Sequence, residues 1–146
     1  MSETCQYCAI DERVLRLMVP VCELPHTRVY LYRENTFPGR CVVVWKEHVR
    51  KLTELTLKQR RDLMDDVGLV ADTVTELYHP DKLNYLILGD ESPHFHVHVV
   101  PKYKDTPQWG KMFEMMPEPS QFMASEEEYT AAAERLRTAL LKKQGN

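Results

Sequence analysis

Apolar positions recur along the chain with two periods, one near two and one near 3.6 residues. Thr27-Arg-Val-Tyr-Leu-Tyr-Arg33 alternates and is rich in β-formers, which predicts a strand. Residues 34–38 make a turn, and Arg40-Cys-Val-Val-Val-Trp45 predicts a second strand, with a hairpin as the economical connection. Thr56 followed by Gln59 is a capping-box pattern. Behind it Leu63, Val67, Val70, Val74 and Leu77 recur at spacings of four and three, the stripe of an amphipathic helix that packs on a sheet and stops at Pro80. Asn84 to Leu88 and His94 to Val100 read as two more strands, the second bounded by Pro93 and Pro101. An irregular stretch from Lys104 to Ala124 leads to a helix starting at Ser125, again with a capping-box partner, Glu128, and with Tyr129, Ala133, Leu136 and Leu140 on its apolar face. Strand, strand, helix, strand, strand, helix predicts an α+β domain around an antiparallel sheet.

Composition narrows the class. The 146 residues fit one domain spanning 1–146, with 43% apolar and 28% charged residues, which excludes wholesale disorder. Nineteen basic against 22 acidic residues give a net charge of -3, so no broad basic surface is expected for a nucleic-acid polymer. No run approaches the roughly 18 apolar residues of a membrane span. The first residues lack the basic and apolar regions of a secretory signal, so a cytoplasmic protein is expected. In that setting Cys5, Cys8, Cys22 and Cys41 read as thiols or metal ligands rather than disulfides. Cys22 and Cys41 read as ordinary buried or half-buried thiols.

The informative segment is Pro93-His-Phe-His-Val-His-Val-Val-Pro101. On a strand, His94, His96 and His98 share one face and Phe95, Val97 and Val99 the other. Three readings compete. The histidines could be solvated or hydrogen-bonded groups without chemistry, although three of the chain's six sit on this one face. They could bind one metal ion, but residues i and i+4 of a strand lie roughly 13 Å apart, while zinc ligands each lie about 2 Å from the ion. The third reading is nucleophilic catalysis. The middle imidazole attacks phosphorus through one ring nitrogen while the other, protonated and anchored, fixes the tautomer. Its neighbours bind phosphoryl oxygens and protonate a leaving group.

His94-Phe-His-Val-His-Val-Val100 resembles the signature of the histidine triad family. Cys5 and Cys8, Pro38-Gly39, Lys46-Glu-His48, Pro101-Lys-Tyr103 and Trp109-Gly110 resemble its surroundings, so the likeness covers residues 5–110. Residues 111–146 add the irregular segment and the last helix. The resemblance implies a histidine-triad fold, a homodimer, and a hydrolase that cleaves nucleoside phosphoramidates or dinucleoside polyphosphates, with adenine, at the α-phosphorus. It makes His96 the nucleophile, His94 the residue whose carbonyl holds the His96 Nδ1–H, and His98 the contact to phosphate and leaving group. His98, where a transferase branch carries Gln, points to the hydrolases. A phosphorylase acting on the same intermediate, or a nucleotide-binding module with little turnover, is the alternative.

Two departures stand out. Arg40 occupies the position of a fourth active-site histidine; it can bind phosphate bidentately but exchanges no proton near neutral pH. Asp90 stands where relatives often carry Asn. Ser92 can offer a hydroxyl to phosphate, and Glu34 or Asn35 matches the family's ribose-binding acidic residue. Cys5-Gln-Tyr-Cys8 is half of a four-ligand zinc site. Resemblance to bacterial-type members supplies His48 and His94 as the other two ligands of a structural zinc, with no catalytic cofactor. Free thiols or a redox pair remain open at this stage.

Overall fold

The computed structural model describes residues 4–145. Two short helices, Gln6–Ala9 (α1) and Glu12–Leu17 (α2), lead into five strands: Met18–Glu23 (β1), Thr27–Tyr32 (β2), Cys41–Trp45 (β3), Lys82–Leu86 (β4) and His96–Lys102 (β5). Leu57–Tyr78 (α3) joins β3 to β4, and Glu126–Gln144 (α4) ends the chain. The strands form one sheet in the order β1-β2-β3-β5-β4, every neighbouring pair antiparallel. β5 therefore enters between β3 and β4 and is paired on both sides.

The β2–β3 hairpin, the long helix and the final helix match the sequence expectation. β1 was not expected. Its Pro20 interrupts the β-forming pattern, and the register with β2 shifts between Pro20 and Cys22. A strand with proline at an irregularity belongs on a sheet edge, which is where β1 lies. β4 runs two residues earlier than the expected 84–88, and β5 continues through Pro101, which pairs with Leu83.

The first face of the sheet carries Val29, Leu31, Cys41, Val43, Trp45, Phe95, Val97 and Val99 and packs under α3 and α4. Both bonds of the capping box at Thr56 and Gln59 are present and start α3. Leu63, Val67, Val70 and Val74 then face the sheet, fully buried. Asp66 interrupts that apolar stripe. Its carboxylate accepts from the Thr27 hydroxyl at 2.9 Å and the His26 amide at 3.2 Å, so the buried charge is bonded and tethers α3 to the start of β2.

The second face carries Tyr30, Tyr32, Val42 and Val44 beside the histidines. The alternation of β5 suggested one apolar and one polar face. Both are buried, because α1 and the segment after β5 close over the histidine side. The turn between β2 and β3 fixes where that face begins. Gly39 has φ +91, and a Cβ there would lie 2.7 Å from the Tyr78 ring of α3. Only glycine fits both the backbone and the contact.

Candidate active site and metal site

His94 precedes the ladder of β5 and is fully buried, with 0% exposure. Its Nε2 lies 2.6 Å from the Trp45 carbonyl, so that nitrogen carries the proton and Nδ1 presents a lone pair. Nδ1 faces a cluster. It lies 3.4 Å from Cys5 Sγ, 3.5 Å from Cys8 Sγ and 3.3 Å from His48 Nδ1. Cys8 Sγ is 3.4 Å from His48 Nδ1, and all four donor atoms lie within 4.8 Å of one another. Metal–donor bonds of about 2.0–2.3 Å in a tetrahedron place donors roughly 3.3–3.8 Å apart. Cys5, Cys8, His48 and His94 thus form a group that can hold a metal ion. The carbonyl that orients His94 is the outer-shell partner a ligating imidazole needs.

The carbonyl of the same His94 takes a hydrogen bond from His96, Nδ1 to oxygen 2.7 Å. This places the His96 proton on Nδ1 and the lone pair on Nε2. Among the described residues Nε2 of His96 and Nε2 of His98 have no protein partner, and neither is among the sealed, unpartnered polar atoms, which are Arg40 Nε and Trp45 Nε1. Each histidine is only 5% exposed, so the opening is narrow, and neither Nε2 is sealed within it. The two rings stand 5.2 Å apart at 68°. Burial keeps His96 below the ordinary imidazole value. Burial, then the Arg40 cation, then His96 push His98 down to about 3. Both rings are neutral at pH 7.

Arg40 lies beside His98, 1% exposed. Its guanidinium stacks 3.8 Å above the Tyr32 ring, donates to the Met115 carbonyl at 3.0 Å and contacts the Met115 sulfur. A second nitrogen lies 3.3 Å from His98 Nδ1. No carboxylate pairs with it among the described residues.

The other expected ligand-binding residues are not gathered at these nitrogens. Glu34 is buried, and its carboxylate accepts from Thr36 N at 3.0 Å, Thr36 Oγ1 at 2.8 Å and Gln121 N at 2.7 Å. It anchors the later segment instead of presenting free oxygens. Asn35 reinforces it, its amide donating to the Gln121 carbonyl at 2.7 Å. Ser92 accepts from Gln6 Nε2 at 2.9 Å and lines a recess with Cys5, Gln6 and His48, on the side of the metal group. Asp90 is exposed, while Gly89 beside it takes φ +142.

Residues the sequence reading passed over complete the site. Tyr7 packs 5.0 Å from the His96 ring and 5.6 Å from His94, and burial keeps its phenol protonated. The signal was available: Tyr7 lies between the two cysteines, so closing the Cys–His group lays it over the histidines. Tyr32 at 6.0 Å from His98, and Met115, had no such signal.

The antiparallel sheet, with helices on one face and a strand of alternating histidines on the other, matches the fold of histidine triad proteins. The HIT domain family profile matches residues 19–105. The chain belongs to that family. A histidine triad (HIT) protein from Sinorhizobium meliloti 1021 superposes with a TM-score of 0.76 at 25% identity, covering 88% of this chain and 94% of that one. A histidine triad protein from Marinobacter aquaeolei VT8 gives 0.78 at 24% identity, covering 91% and 96%. A Zn-bound histidine triad family protein from Mycobacterium smegmatis gives 0.69 at 20%, covering 97% and 96%. A search of curated proteins finds no match.

Proposed function

We propose that this chain is a nucleotide hydrolase in which His96 is the nucleophile. The observation that carries this reading is the bond from His96 Nδ1 to the His94 carbonyl, which leaves a lone pair on an unpartnered Nε2. The substrate class is a nucleoside monophosphoryl group, adenosine included, joined at its α-phosphorus to a leaving group. Nε2 forms a bond to phosphorus as the bond to the leaving group breaks, and the departing atom takes the electron pair. Water then adds to phosphorus, the electron pair of the P–N bond returns to Nε2, and one water proton is released. The Nδ1–H stays on His96 throughout and is steadied by the His94 carbonyl. His98 donates from Nε2 to a phosphoryl oxygen. The protein would act as a homodimer.

Zinc is the metal that two thiolates and two imidazoles suit best. Cys5, Cys8, His48 and His94 would hold it as a structural ion, closed by four protein ligands. When bound it fixes α1 to the strand that carries the nucleophile and touches no substrate.

The test is quenching in alkaline denaturant, which spares an acid-labile P–N bond, after mixing with an α-32P-labelled dinucleoside polyphosphate. The label is expected on wild-type protein and absent from His96→Ala. An unlabelled wild type, with nucleotide bound but never cleaved, would instead make the chain a binding module. The near-complete burial of the two rings is the observation favouring that second reading.

A further inference from the structure

We propose that Arg40 is a positioning residue that fixes His98 as a neutral Nε2–H tautomer, so that the site selects substrates whose leaving group departs as a stable oxyanion, α-phosphate anhydrides, over phosphoramidates. The inference rests on the hydrolase reading above and narrows it to one substrate class.

A guanidinium has donors only. Its nitrogen 3.3 Å from His98 Nδ1 therefore meets a lone pair, and the His98 proton resides on Nε2. Arg40 cannot easily swing away, held between the Tyr32 ring and the Met115 carbonyl. The groups facing His98 are few. Arg40 comes from the turn before β3, Tyr32 from β2 and His96 from its own strand, while its cross-strand partners Val42 and Leu86 are apolar. No carboxylate is among them. A proton on Nδ1 would set a donor against a donor and a cation against a cation, in line with the strong downward shift of His98.

The chemical consequence is asymmetric. A neutral imidazole can donate a hydrogen bond from Nε2, but surrendering that proton would leave an imidazolate. His98 is thus a phosphate-binding donor and no general acid. When His96 Nε2 displaces a phosphate or polyphosphate, the pair of the breaking P–O bond settles on an oxygen that is stable unprotonated. When it displaces an amine, the pair settles on nitrogen and a proton must arrive with it. The anhydride reaction balances with water alone, and the phosphoramidate reaction lacks its acid.

Two measurements test this on the full-length protein. In 15N-histidine-labelled protein, long-range 1H–15N spectra should show His98 as a neutral Nε2–H tautomer that does not titrate between pH 8 and 5. In Arg40→Met the proton should no longer be confined to Nε2, and the ring should take up its second proton at a higher pH than in wild type, though still below its ordinary value because burial remains. Second, kcat/KM for diadenosine tetraphosphate should exceed that for adenosine 5′-phosphoramidate by about 100-fold or more, since a general acid contributes about 10²–10⁴-fold. Arg40→Met should narrow that ratio at least tenfold by gaining on the phosphoramidate. Arg40→Lys, which keeps a cationic donor, should preserve it, and it covers the case in which the Met variant does not fold. Wild-type turnover of phosphoramidate equal to or faster than anhydride, or a His98 proton on Nδ1, overturns the proposal. Failure to cleave either substrate overturns the hydrolase reading and the selectivity with it, while the spectra still report whether Arg40 governs His98.

Discussion

His94 donates from Nε2 to Trp45, turns Nδ1 toward Cys5, Cys8 and His48, and offers its carbonyl to His96. One residue thus orients both the metal group and the nucleophile, the first through its side chain and the second through its backbone. Replacing the attacking ring removes the reaction outright. His96→Ala should lower kcat by more than about 10⁴-fold, beyond what acid–base assistance alone supplies, while a nucleoside monophosphate still binds; steady-state kinetics and calorimetry read the two. His98 adds a pH dependence of stability. Its folded value, about 3, lies below its ordinary 6.5, so on acidification the unfolded chain takes up a proton that the folded chain refuses. The stability this residue confers is whole above about pH 6.5 and drains away between there and about pH 3. Thermal midpoints measured from pH 7 to 4 should therefore fall more steeply for wild type than for His98→Gln. Both proteins share the acid-sensitive metal group, so the difference reports His98; parallel slopes would contradict it.

At the scale of elements, α1 is a four-residue helix too short to persist alone. The Cys–His group and the packing of Tyr7 hold it against β5. Cys8→Ser should drop bound zinc per chain toward zero by elemental analysis of protein purified without chelator or a metal-binding tag. Activity should fall in part, because Tyr7 loosens over His96 while the His94 carbonyl stays. A variant that keeps a full equivalent of metal would defeat the ligand set. The turn before β3 is equally specific: Gly39→Ala should destabilise by more than about 1 kcal/mol, since positive φ and the Tyr78 ring both oppose a side chain, as a denaturant melt would show. The elements legible in the sequence were those with a local cause. Thr56 and Gln59 announce α3, and the His–apolar alternation announces β5. β1 was hidden by Pro20, whose irregularity the edge of a sheet tolerates. The crowding of Arg40 by Met115 was hidden too, because residues 75 apart in sequence share no pattern.

At the scale of the molecule, the segment after β5 straps the histidine face. Lys111 receives the buried Lys102 amine, Met115 receives Arg40, and Gln121 is gripped by Glu34 and Asn35. Phe113 seals the middle against Phe37 and Val100. Three donors converge on the Glu34 carboxylate, so Glu34→Gln turns an amide N–H against one of them. It should cost about 1–3 kcal/mol and speed tryptic cleavage at Lys111; an unchanged cleavage rate would show that Glu34 does not fasten the strap. No described helix is long and apolar enough to cross a membrane.

The position of β5 between β3 and β4 also has a history in the making of the chain. Cys5 leaves the ribosome 89 residues before His94, and Cys8 leaves 86 before it. At about 5–20 residues per second, the two thiols wait roughly 4–18 s for the imidazole that completes their group. Until β5 follows, β3 lacks its neighbour on the side away from β2, and metal captured early has only Cys5, Cys8 and, from 46 residues before His94, His48. The strand bearing the nucleophile then inserts between neighbours already synthesised, so sheet closure and metal closure become one late event of translation.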